Sequence, residues 1–163
     1  MEVTAFDDSG DFVTAPFAVK VSDELLVILF PLNPVEAKLD GSWWSSIVAS
    51  DGNVYFGSST HAHDTAARIF QYDRVTETVT PVGPDLSTIV GEDPTVEVPQ
   101  GKLHGPFVES DGRLYSSTHL ANYWPEAIDA YTGAHVFGYR LGSGQEASGA
   151  EFVDFGIPRQ GFS

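Results

Sequence analysis

The 163-residue chain has a hydrophobic fraction of 42% and a mean hydropathy of -0.08, which fit a soluble globular chain long enough to bury a core. Its 23 acidic and 8 basic residues give a net charge of -15, a balance that repels phosphate backbones and anionic lipid, so neither nucleic acid nor membrane is an expected partner. Cysteine is absent, which excludes disulfides, thiolate metal sites and cysteine nucleophiles.

Strand patterns begin early. Residues 12–21 and 24–30 read as a hairpin about Ser22 and Asp23, the second arm being rich in aliphatic residues. The apolar run at 25–32 is strand-sized and broken by Pro31 and Pro34, far short of the roughly 20 residues a membrane span needs. The acidic N-terminus lacks the basic region of a secretion signal, so the expectation is a cytoplasmic chain, or an exported one if further residues precede it. Residues 33–41 read as a linker, with the VEAKL segment as the only helical turn expected.

From residue 42 a four-strand pattern appears twice. The first set lies at 45–49, 54–58, 68–72 and 79–82, and the second at 105–109, 113–117, 135–139 and 152–155. A Pro- and acid-rich connection at 83–100 is expected to be loop with one edge strand. The two sets correspond in detail. Asp51-Gly52 matches Asp111-Gly112 sixty positions later, Val48 matches Val108, Tyr55 matches Tyr115, and Ser59-Thr60-His61 matches Ser117-Thr118-His119 after a two-residue slip. The Asp-Gly pairs mark hairpin turns, and Ile69 to Tyr72 resembles Val136 to Tyr139 with alternating apolar residues.

Two copies of a four-stranded antiparallel unit at this period predict an all-β fold of propeller blades. The division expected is an N-terminal partial blade and linker at 1–41, a blade at 42–100 and a blade at 101–163. The motifs Gly101-Lys102-Leu103-His104-Gly105-Pro106, Asp111-Gly112-Arg113-Leu114-Tyr115, Thr118-His119, Phe70-Gln71-Tyr72-Asp73 and Phe155-Gly156-Ile157-Pro158 resemble those of a bacterial, seven-bladed β-propeller superfamily over roughly residues 44–158. That superfamily has sugar-related, quinoprotein-like and polysaccharide-lyase relatives. Because propellers close with about four to eight blades, the resemblance implies an incomplete propeller of two to three blades. Its open faces would be covered by the remaining blades of a longer chain or by self-association.

Blade topology then places Trp44, His61, His104 and His119 on one face, with His63 and Arg68 after His61, and Tyr123 and Trp124 after His119. The face is expected to bind a carbohydrate or small molecule, with Trp44, His63 and Trp124 as contacts. If the chain is lyase-like, His119 or Tyr123 serves as base or acid, and Arg68 or His61 neutralises a uronate carboxylate. In the alternative, His61, His104 and His119 hold one divalent ion for a hydrolase or isomerase. A non-catalytic binding propeller is the third reading. The structural readings are that His61 and His119 cap strand ends, that Arg68 pairs with Asp64 or Asp73, that Tyr123 and Trp124 cover a blade edge, and that His135 is structural. No phosphate loop, dinucleotide fingerprint or serine-centred nucleophile motif occurs.

Overall fold

A computed structural model describes residues 18–22, 25–28, 30–32, 35–142 and 151–158. The chain divides into two compact units, Met1–Ala37 and Lys38–Ser163. In the first, β1 (Ala18–Ser22) pairs antiparallel with β2 (Leu25–Ile28). This is the hairpin expected near the N-terminus; residues 12–17 of its first arm lie outside the described residues.

The second unit carries two four-stranded antiparallel sheets in sequential order. β3 (Ser46–Val48), β4 (Val54–Ser58), β5 (Arg68–Asp73) and β6 (Thr78–Pro81) form the first. β7 (Val108–Ser110), β8 (Arg113–Ser117), β9 (Val136–Arg140) and β10 (Phe152–Gly156) form the second. The fold is all-β with two short helices among the described residues, and the two sheets do not close into a barrel. The two sheets belong to one compact unit and share a core.

That core comes from strand alternation. Tyr55 and Ile69 of the first sheet and Leu114, Phe137, Tyr139 and Phe152 of the second are buried in one cluster, with the Tyr55 and Tyr139 rings 5.8 Å apart. Successive strand residues point to opposite faces, so Tyr115 lies on the outer face of the second sheet, where its ring sits 5.9 Å from Phe155. Tyr55 and Tyr115 occupy matching strand positions, but the Tyr55 face packs inward and the Tyr115 face points outward. The sheets therefore stack front to back. Val108, Val153, Phe155 and Ile157 are exposed.

The hairpins differ more than their sequences do. In the second sheet Ser110 pairs with Arg113, and the two residues between, Asp111 and Gly112, have φ of 51° and 70°, as a tight primed turn requires. In the first sheet Val48 pairs with Val54 across residues 49–53, closed by Ala49 N–H donating to Asn53 O at 2.9 Å. Ile47 stands opposite Tyr55 as Val108 stands opposite Tyr115. The structural counterpart of Val108 is thus Ile47 and not Val48: the longer turn slips the register by one residue, which puts Val48 on the face opposite to Ile47 and Tyr55.

The helices also fall elsewhere than expected. The VEAKL segment forms only turns. α1 (Leu86–Ile89) lies within the 83–100 connection where an edge strand was expected, and the Asp85 carboxylate accepts the Thr88 N–H at its start. α2 (Pro125–Ala130) begins with proline at its first position. Beyond α1 the connection is tied down by a buried polar network. Fully buried Gln100 donates to Glu92 at 2.9 Å and accepts from Thr118 and Tyr131 at 2.6 Å each. The His135 ring is held between Glu92 at 3.4 Å and Asp154 of β10 at 3.0 Å. His135 is thus buried and held on both sides by carboxylates.

Candidate functional site

An open cleft of about 540 Å³ is lined by Trp43, Trp44, His61, Lys102 and His104. Two short pairings build it. Gly41 bridges Ser59, and Lys102 bridges His119 with Lys102 N–H donating to His119 O at 3.0 Å. Those bridges set the segments before β3 and β7 alongside the chain that leaves β4 and β8. Leu103 between them is fully buried, so Lys102 and His104, two positions apart in extended chain, share the opposite side. Leu103 N–H also donates to the Ser59 hydroxyl at 3.1 Å, which ties the second half of the cleft to the first.

The rings form a continuous series. His61 and His104 each meet Trp43 edge-on, with centroids at 5.5 and 5.3 Å. His104 stacks on His119 at 5.2 Å, and His119 meets Tyr123 edge-on at 5.7 Å. The Lys102 ammonium lies 5.5 Å from the ring centres of both Trp43 and Tyr123. His63 stacks on Trp124 at 3.8 Å, beside the cleft rather than along its lining. The Asn122 side chain donates to the His61 carbonyl and so fastens the loop after His119 across to the first sheet.

Two of the imidazoles have their tautomers set by their partners. Asp40 Oδ2 lies 2.9 Å from His61 Nδ1 and also accepts the His61 backbone N–H at 3.2 Å. His119 Nδ1 lies 3.0 Å from the Leu120 carbonyl. Carboxylate and carbonyl oxygens only accept, so Nδ1 carries the proton in both rings. In the neutral form Nε2 then holds the lone pair. The His119 Nε2 faces the Tyr123 hydroxyl at 3.4 Å. The pKa of His104 is pushed below the usual histidine value, first by burial and then by the like charges of His119, Lys102 and His61.

The structure brings together five of the residues singled out from sequence: Trp44, His61, His104, His119 and Tyr123. Arg68 is not one of them. It opens β5 opposite Ser58, does not line the cleft, and its buried Nε has no hydrogen-bond partner among the described residues. The acids proposed to pair with it are engaged otherwise: Asp64 with Lys38 at 2.6 Å, and Asp73 with the backbone N–H groups of Val75 and Thr76. Among the described residues no three His, Asp or Glu side chains are placed to hold a metal ion, and the Trp43 ring contacts both His61 and His104.

Compared with protein-family models, curated proteins and solved structures, the chain matches none. What the cleft does must be argued from its own chemistry.

Three of its residues went unremarked in the sequence. Lys102 was legible, since period two places it beside His104 on one side of an extended segment. Trp43 was displaced by its neighbour Trp44, which lines the cleft but is 79% exposed. Asp40 had no sequence signal, because it reaches His61 from a segment read only as linker. Together the groups provide two lone-pair nitrogens, a phenol, an ammonium and flat aromatic walls, a set suited to gripping a polar ring and moving protons on it.

Proposed function

We propose that the two sheets are consecutive blades of an incomplete β-propeller, and that the histidine-lined cleft binds a carbohydrate or a small polar molecule of similar size, with lyase-like proton transfer on it. The front-to-back stacking of the sheets supports the blade reading, since only that arrangement can be continued around a ring. On the same reading the apolar outer face of the second sheet is where a further blade, from a longer chain or another copy, would rest.

The observation that carries the functional reading is the His119–Tyr123 pair, with Nε2 3.4 Å from the phenol, beside a cleft walled by Trp43 and Trp44. The indoles supply stacking faces for a sugar ring. His119 Nε2 takes a proton from the substrate, and the Tyr123 hydroxyl, with an ammonium beside its ring, returns one to the leaving oxygen. Arg68, which is not among the residues lining the cleft, is given no part in this scheme.

The test is a screen of the full chain against acidic and neutral polysaccharides, reading the ultraviolet-absorbing unsaturated product that elimination leaves. Product formed by the native chain and lost in His119→Ala and Tyr123→Phe supports the mechanism. Ligand capture with no product under any condition would leave a binding propeller without chemistry, the reading that the exposed indoles favour by themselves. Absence of both binding and product would sink the proposal.

A further inference from the structure

Lys102 is the least expected residue of the cleft. It is 5% exposed, although lysine is among the residues least often buried without a partner. The chain has 23 acidic residues, yet among the described residues no carboxylate forms an ion pair with Lys102. Its ammonium is flanked instead by the rings of Trp43 and Tyr123. The ammonium is not among the buried polar atoms left without a partner, so the stem is buried while the charged end reaches the open cleft, where the two rings hold it without neutralising it.

The surroundings offer that charge no carboxylate of its own among the described residues. His104 and His119 stand beside Lys102, and the nearby carboxylate of Asp40 is engaged by His61. The protonated form of His104 is disfavoured first by burial and then by His119, Lys102 and His61. The cleft thus presents an ammonium with no ion-pair partner among the described residues, in a chain of net charge -15. It is a good receptor for a negative charge.

We infer that the cleft is an anion site, in which the Lys102 ammonium, held by the rings of Trp43 and Tyr123, receives a carboxylate or phosphate group of the ligand. The inference rests on the reading of the cleft as the ligand site, and it narrows the ligand to an acidic molecule. Lys102 is a binding residue here, and Trp43 is both its support and the adjoining wall. The His104 ring beside it becomes easier to protonate once the anion is in place, and so adds a second donor.

The experiment uses the full chain, with sodium acetate, inorganic phosphate, galacturonate and galactose as probes against sodium chloride at matched ionic strength. Binding is read by indole fluorescence and by the ring proton shifts of His104 titrated against pH. Acetate, phosphate or galacturonate is expected to perturb the fluorescence saturably and to raise the His104 pKa. Comparing acetate with phosphate decides which anion the site prefers. Lys102→Met should weaken the anion effect roughly tenfold or more, the scale of one lost charged hydrogen bond, and Lys102→Arg should keep most of it. Lys102→Met should also leave the apo chain about as stable as before, because it breaks no ion pair among the described residues and keeps an apolar stem. That result separates binding from a structural role.

No response to any anion, or an equal response in Lys102→Met, would overturn the inference. Galactose bound as tightly as galacturonate, with Lys102→Met silent, would overturn it while leaving the carbohydrate reading intact. Acetate or phosphate bound without any sugar would do the opposite.

Discussion

His104 is the residue whose ionisation the fold alters most clearly within the cleft. Its folded pKa lies below that of the unfolded chain, about 6.5, because burial first, and then the neighbouring His119, Lys102 and His61, disfavour the imidazolium. Above the unfolded value the ring is neutral in both states and contributes nothing. As pH falls below it, the unfolded chain takes up the proton first, so stability falls until the folded pKa is reached and then levels. Urea unfolding at successive pH values is expected to show this decline on the acid side of neutrality, shallower in His104→Gln. At the same scale, His119 and Tyr123 are a working pair in the proposed chemistry. Loss of either is expected to lower turnover by about 10²–10⁴, the usual contribution of a general acid or base, measured on whichever polysaccharide gives product. Stability should be little changed, because Tyr123 is 60% exposed.

Elements are held by a few special positions. The β7–β8 turn needs positive φ at both Asp111 and Gly112. Gly112→Val is expected to cost about 1–2 kcal/mol from left-handed strain alone, seen as a lower urea midpoint with unchanged slope. Nothing lies within 4 Å of a Cβ built at Gly112, so the loss would be conformational and not steric. β10 depends on a different device. His135 joins it, through Asp154, to Glu92 of the inter-sheet connection. His135→Ala leaves both carboxylates without that partner and is expected to cost about 3 kcal/mol. Amide exchange should rise in β10 and around Glu92 before it rises in the first sheet.

The whole second unit turns on close contact between its sheets. A Cβ at Gly57 would meet Ser45 Oγ at 2.6 Å and Leu103 Cδ2 at 2.7 Å, distances that real side chains do not tolerate. Gly57→Ala therefore has to move Leu103 and with it the segment carrying Lys102 and His104. The expected cost is about 1–3 kcal/mol, as for other overpacked cores, together with weakened ligand binding. Leu114→Ala tests the same interface from the other side. It should cost about 2–5 kcal/mol through the cavity left among Tyr139, Phe137 and their neighbours, with calorimetry showing loss of cooperative melting of the two sheets.

Sequence alone determined the strand content, the two four-stranded meanders and most of the cleft residues, because strand alternation and Asp-Gly turns are local signals written in neighbouring residues. His61, His104, His119 and Tyr123 were found from their places at strand ends. The tertiary structure decided what depends on register and on meetings across the chain. It showed that one longer turn makes Ile47, not Val48, the partner of Val108 in the repeat. It set Lys102 in the cleft lining, brought Asp40 to His61, and placed Trp43 between two imidazoles. A side chain's chemistry is legible from its identity, but its partners are fixed by packing between segments 20 to 60 residues apart, and no local pattern carries that information.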